Sequence, residues 1–304
     1  MNKTIPTPEG TRDRLFAECA AFRQVERSVT ETFRRHGYCE MTTPNVEYYD
    51  LVTAAGDPIA QEAMLKIVDR SGKILAMRPD STLAMGRVVA TKLTGLPRPL
   101  RLYYNQMVFR SDDANTGART EIDQCGVELI GASGIRADLE IISLSLAALE
   151  ACGLQEYHIE IGHAGYVSSL LRELETENGE ELLQLAERRE FTAYQKRLEP
   201  WLHTAAGQAL YELPRLFGGP DILDCARKLC AAPGAIAALD YLESLYDVLR
   251  TAGLSHRVQV DLAMTQTIEY YTGMIFRGYG RGAADSVLSG GRYEIGRASC
   301  RERE

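Results

Sequence analysis

Residues 99–131 read PLRLYYNQMVFRSDDANTGARTEIDQCGVELIG, and this stretch decides the fold. Pro99 to Arg110 alternates as a strand, and Gln124 to Ile130 alternates as its antiparallel partner. The glycine-containing segment between them reads as a hairpin loop. Gln124 and Glu128 lie four residues apart on the second strand, so both project from one face. That spacing fits a hydrogen-bonded polar pair in the core as well as it fits a ligand-facing pair.

Working outward, Ser81 to Leu93 has the pattern of a helix beginning with Asp80 or Ser81, preceded by a strand at Ile74 to Arg78. Upstream, Leu15, Cys19, Phe22, Val25, Val29 and Phe33 recur at helical spacing after Asp13, the expected N-cap, and Gly37 supplies the stop. Glu40 to Thr43 then runs extended into Pro44. Downstream, Ile135 to Ala151 is a periodic helix closed by Gly153. Tyr157 to Ile161 and Val258 to Leu262 alternate as strands. Between those strands, Ser168 to Leu254 is helical in pattern, broken by Pro200, Pro214 and Gly218-Gly219-Pro220. Strand character returns through Tyr270, Ile275 and Val287.

The fold class expected is α+β, with a core over residues 1–167, a helical insertion over 168–254, and a second part of the core over 255–294. Residues 295–304 have no apolar face and read as a non-native tail, so the natural chain is expected to continue beyond Tyr293.

Composition bounds the function. Of 304 residues, 45% are hydrophobic and 25% charged, as in an ordinary soluble globular protein. No apolar run approaches the roughly 20 residues needed to span a bilayer, and the N-terminus shows no export signal. The seven cysteines form no CxxC pair, which fits reduced thiols and a cytoplasmic location. The net charge of −8 weighs modestly against gripping a nucleic-acid backbone.

Several smaller signals take structural readings. His158 and His163 bracket a strand end, Cys225 and Cys230 have no zinc spacing, and Gly278-Tyr279-Gly280-Arg281-Gly282 reads as a hairpin rather than a phosphate cradle. No metal or cofactor is expected.

Six stretches in order resemble class II histidyl-tRNA synthetases and their non-synthetase paralogue, the regulatory subunit of the short-form ATP phosphoribosyltransferase. They are Pro8 to Asp13, Gly37 to Glu47, Arg78-Pro79-Asp80-Ser81-Thr82, Phe109 to Gly131, Glu269 to Gly273, and Ser289-Gly290-Gly291-Arg292-Tyr293. The resemblance implies an antiparallel sheet flanked by helices, with a dimer interface at the first helix and the Gly37–Glu47 segment. It also implies an amino-acid pocket: Asp80 and Thr82 at the positions holding an α-amino group, Gln124 and Glu128 on the hairpin strand, and Tyr270 and Tyr271 beside an imidazole. Arg110 matches an arginine that meets phosphate or carboxylate.

The ATP half of the site departs from the synthetase pattern. Gln266 stands where the synthetases carry a catalytic arginine, and a neutral amide cannot offset charge developing at phosphate. Asp112 and Asp113 replace Glu-Arg, and Ile122 and Asp123 replace Phe-His, removing a ring that would stack on adenine. Asp123 is expected to add negative charge at that site. The resemblance therefore implies a non-catalytic regulatory subunit, partnered with the short catalytic subunit and dimeric within the complex. L-histidine is the implied effector, and no tRNA or membrane partner is expected. A histidine–tRNA ligase cut before its anticodon-binding domain is the alternative. An orphan synthetase paralogue acting on another amino acid is a third.

Overall fold

The computed structural model describes residues 6–54, 63–111, 119–174, 176, 178–264 and 271–294, and the chain divides into two compact units, 1–132 (with 295–304) and 133–294. In the first unit the elements run α1 (Phe16–Arg35), β1 (Cys39–Glu40), β2 (Val46–Tyr48), α2 (Tyr49–Ala54), β3 (Lys66–Val68), β4 (Ile74–Met77), α3 (Ser81–Lys92), β5 (Leu100–Phe109) and β6 (Glu121–Ile130). The hairpin expected from alternation is present. Strands β5 and β6 pair antiparallel in register from Leu100 opposite Ile130 to Phe109 opposite Glu121, and β1 joins β5 in parallel.

Each face of the hairpin has its own helix. Odd-numbered residues meet α1: Tyr103 packs its ring 5.9 Å from Phe33, and Asn105 donates to Glu26 at 3.1 Å. Even-numbered residues meet α3, where Leu102, Tyr104 and Ile130 cluster with Met85 and Val89. Gly126 is required on that face, because a Cβ there would lie 2.3 Å from the Tyr104 hydroxyl oxygen.

One expectation for the first helix is corrected. Asp13 is not its N-cap: Leu15 holds that position without a side-chain bond, and the helix opens at Phe16 with φ of 48°. The apolar stripe is largely uncovered, since Phe33 alone of α1 is buried while Leu15 and Phe16 are 61% and 89% exposed. The C-terminal stop is as expected, with Gly37 at φ 83° and Tyr38 N–H returning to Phe33 O.

A small sheet in the order β2-β4-β3 leads into α3. At its end Arg78 is fully buried. Its guanidinium donates to Thr43 O and Pro44 O at 2.8 Å each, to Asn45 Oδ1 at 3.1 Å and to Met107 O at 2.6 Å. Burial lowers its pKa, against the opposing fields of Glu47 and Asp80.

The second unit runs α4 (Ile135–Ala151), β7 (Tyr157–His163), α5 (Ala164–Glu173), α6 (Gly179–Glu187), α7 (Phe191–Leu198), α8 (Ala205–Glu212), β8 (Phe217–Gly218), α9 (Asp221–Leu229), α10 (Pro233–Thr251), β9 (Val258–Asp261), β10 (Tyr271–Gly280) and β11 (Leu288–Tyr293). Its sheet has the order β11-β10-β7-β9-β8, antiparallel except for the parallel β7–β9 pair. The glycine-rich stretch at 278–282 ends β10 and opens the hairpin to β11, with Val287 N–H closing on Gly278 O at 2.8 Å. The apolar core joins Ile159 and Ile161 of β7 to Tyr166 and Leu170 of α5 and to Leu239 and Leu242 of α10. No helix among the described residues is long and apolar enough to cross a membrane.

One polar network ties α4, α10 and β11. Asp138 accepts from Tyr241 Oη at 2.5 Å and pairs with Arg292, which also donates to Gly134 O at 3.2 Å. His163 caps α5 by accepting from Gly165 N–H at 3.0 Å, and its ring packs edge-on to Tyr241.

Two predictions arise. Arg78→Lys keeps the charge but loses the planar fork that reaches separate carbonyls. It should lower the stability of the first unit by about 3 kcal/mol or more in urea unfolding. The second concerns His163, whose pKa is pushed down from 6.5 to about 4 by burial and then by Arg292. The unfolded chain takes up this proton near pH 6.5 and the folded chain only near 4. Stability therefore falls as pH drops through that window, by at most about 3 kcal/mol. His163→Gln, which keeps an acceptor for Gly165, should show a shallower fall than the parent chain between those pH values, and superimposable profiles would refute the assignment.

Candidate functional site

The residues implied by the resemblance divide between the two units. Asp80, Thr82, Arg110, Gln124 and Glu128 belong to the first, Tyr271 opens β10 in the second, and Gln266 and Tyr270 lie outside the described residues, as do Asp112 and Asp113.

In the first unit the junction of β4 and α3 positions the polar groups. Asp80 is the N-cap of α3, its Oδ1 accepting from Thr82 N–H at 2.7 Å. Its other oxygen stands 3.7 Å from Arg110 Nη2, while Arg110 Nε donates to Pro79 O at 2.9 Å. The structure thus brings Asp80, Thr82 and Arg110 together, and it pairs the arginine with the aspartate. With side chains 31% and 23% exposed, both groups remain open to a ligand. The pair leaves little net positive charge there for a phosphate.

Gln124 and Glu128 lie on the even-numbered face of β6, the face covered by α3. Gln106, directly opposite Gln124, donates to Ser81 Oγ at 3.0 Å and to Thr43 Oγ1 at 3.2 Å, which brings the start of α3 beside the hairpin. Sequence reasoning missed Gln106, although its even parity with Gln124 carried the signal. Glu128 is 6% exposed. The Gln124 carbonyl oxygen is buried and accepts no hydrogen bond from any described residue. A buried acceptor without a donor costs roughly 1–3 kcal/mol. Gln124 and Glu128 place acceptors on this face of a kind suited to an ammonium or imidazole N–H.

Asp123 requires correction. It sits on the opposite, odd-numbered face of β6, where Arg14 Nη2 meets it at 2.5 Å and stacks its guanidinium 4.0 Å from the Phe22 ring. Its charge serves the contact with the segment preceding α1, not the face that carries Gln124 and Glu128. Strand alternation would have separated it from Gln124, one residue away. Ile122 does lie on the Gln124 face, opposite Val108.

With this geometry in place, comparison with known proteins fixes the class. The histidyl-tRNA synthetase family model matches residues 10–304. A histidine–tRNA ligase subunit from Alicyclobacillus acidocaldarius superposes with a TM-score of 0.83 over 99% of this chain and 93% of that one; at 23% identity it shows the fold alone. A solved structure described as an ATP phosphoribosyltransferase regulatory subunit/histidyl-tRNA synthetase from Bacillus halodurans gives 0.89 at 33% identity, covering 97% of this chain and 78% of that one. The ATP phosphoribosyltransferase regulatory subunit of Clostridium kluyveri is 40% identical over 296 residues, 94% of this chain and 75% of the relative. The chain belongs to the histidyl-tRNA synthetase-like family of ATP phosphoribosyltransferase regulatory subunits.

Proposed function

We propose that the chain is the non-catalytic regulatory subunit of an ATP phosphoribosyltransferase, acting in the first step of histidine biosynthesis and carrying its feedback control by histidine. The observation that carries this reading is the 40% identity to a regulatory subunit across nearly the whole chain. The sequence supports it independently. Gln266 stands at the synthetase arginine position, and losing one preorganised charge at phosphate costs about 2.7–4 kcal/mol of transition-state stabilisation. Asp113 reverses a further charge, and Ile122 supplies no aromatic ring for adenine. Formation of an aminoacyl-adenylate is expected to be negligible.

The amino-acid half has the opposite character. Glu128 and the orphan carbonyl of Gln124 suit the N–H groups of histidine, and Thr82 lies at the start of α3 beside them. Histidine bound there biases the complex by a coupling free energy, typically about 1–3 kcal/mol between two sites. The partners are the short catalytic subunit and a second copy of this chain. The exposed apolar residues of α1, Leu15, Phe16 and Val25 among them, support self-association along that helix. The net charge of −8 fits a protein without a tRNA partner, and the location proposed is the cytoplasm.

Histidine titrated into the reconstituted complex should inhibit phosphoribosyl transfer, and unchanged turnover at saturating histidine would overturn the regulatory reading. Glu128→Gln should weaken that inhibition by about ten- to a hundredfold, the worth of a hydrogen bond to a charged group. Histidine-dependent ATP–pyrophosphate exchange by the isolated chain should be absent. Exchange at ordinary ligase rates would return the protein to the histidine–tRNA ligases.

A further inference from the structure

The second unit contains a charged cavity that the regulatory reading does not use. It measures about 120 Å³, and Phe191, Pro214, Phe217 and Met264 wall it, with Arg189, Arg277 and Asp261 as its charged lining. Asp261 is 4% exposed, and Glu160 on the neighbouring strand β7 is 5% exposed. One nitrogen serves both carboxylates: Arg189 Nη2 stands 3.3 Å from Asp261 Oδ2 and 3.7 Å from Glu160 Oε2. That Glu160 oxygen is buried and accepts no hydrogen bond from any described residue, while its Oε1 faces His158 Nε2 at 3.5 Å. Asp261 Oδ1 takes the Ala263 N–H at 2.9 Å. Burial, reinforced by Glu160, raises the Asp261 pKa.

Arg189 is a poor permanent counter-ion. Its side chain is 54% exposed, and its backbone φ of 54° lies in the left-handed region at the turn after α6, where glycine is the unstrained residue. The two carboxylates therefore form a cradle for one nitrogen cation, held at present by a group that can leave toward solvent. Charge decides what can replace it. Asp261 and Glu160 carry two negative charges, and Arg189 and Arg277 carry two positive ones. A simple cation or anion would leave an uncompensated charge among apolar walls, which is costly. A zwitterion would not.

We propose that this cavity binds a small L-α-amino acid with an apolar or aromatic side chain. The ammonium group takes the place of Arg189 Nη2 between Asp261 and Glu160. The released guanidinium forks onto the ligand carboxylate. The side chain of the ligand lies against Phe191 and Phe217.

The test is calorimetric titration of the full chain with L-leucine, L-methionine, L-phenylalanine and L-histidine in turn. At least one should bind, and Arg189→Ala and Asp261→Asn should each weaken it by about ten- to a hundredfold, while Glu128→Gln leaves it unchanged. Should Asp261→Asn fail to fold, Arg189→Ala, which alters a half-exposed residue, decides alone. The proposal is overturned if none of the four binds, or if Arg189→Ala leaves the affinity of the bound amino acid unaltered. Histidine binding that is lost in Glu128→Gln and kept in Arg189→Ala would sink this site and leave the regulatory reading standing.

Discussion

A single buried guanidinium sets the geometry of the first unit. Arg78 collects carbonyl groups from the extended segment at Thr43 and Pro44 and from β5 at Met107, and adds the Asn45 amide oxygen. Its own backbone carbonyl accepts from Phe109 N–H at 2.9 Å, and its N–H donates to Asn45 O at 2.8 Å. Three chain segments are thereby fixed around one residue. A buried cation is costly unless hydrogen bonds and opposing charge surround it, and here Glu47 and Asp80 supply the opposing field. Pro79, Asp80 and the first turn of α3 follow immediately, so the placement of Asp80, Thr82 and Arg110 depends on that anchor.

The same local chemistry explains how a synthetase-like fold can bind without reacting. Joining a carboxylate to ATP brings anions together, and the site must hold more positive than negative charge where the phosphate reacts. Here Arg110 stands beside Asp80, which already caps α3, and the proposed reading adds that Gln266 stands at the arginine position of the synthetases. Holding a zwitterionic amino acid makes no such demand. It needs acceptors for N–H groups, and Glu128 and the Gln124 amide oxygen, which accepts from no described residue, are acceptors. On the proposed reading, losing positive charge removes the chemistry and keeps the acceptors that an amino acid needs.

How far the sequence could be read depended on whether a feature was local. The β5–β6 hairpin, α3 and α4 all followed from periodicity, because each is specified within a few residues. Asp123 was misplaced because its neighbours were matched as a motif, whereas period-two geometry sends it to the α1 side. Asp13 has the right side chain for a cap but the wrong place: the chain stays extended through Leu15, and an aspartate can cap only where the helix actually begins. The pairing of β2 with β4 and the bonds of the Arg78 guanidinium escaped notice because both rest on partners about 30 residues away. The cradle of Glu160, Asp261 and Arg189 is longer-range still, uniting residues 72 apart at the ends of separate elements.

Among its described residues the second unit has two carboxylate–arginine clusters whose carboxylates are buried, and their differences show which one is architecture. Asp138 is bonded by both Tyr241 and Arg292, whose side chain is 22% exposed, and the network links α4, α10 and β11. Both Asp138 oxygens have donors, so a ligand would gain nothing by entering. At the other cluster one Glu160 oxygen accepts no hydrogen bond from any described residue, and the arginine is 54% exposed on a left-handed turn beside an open cavity. That turn is the C-terminal cap of α6, held by Arg189 N–H on Ala186 O at 3.0 Å and Glu190 N–H on Leu185 O at 2.9 Å, so the side chain is free to move while the backbone stays in place. A ligand ammonium would supply the same attraction as the Arg189 nitrogen. Exchange of one nitrogen for another is therefore the transition this cluster is built to allow, and Asp138 is not.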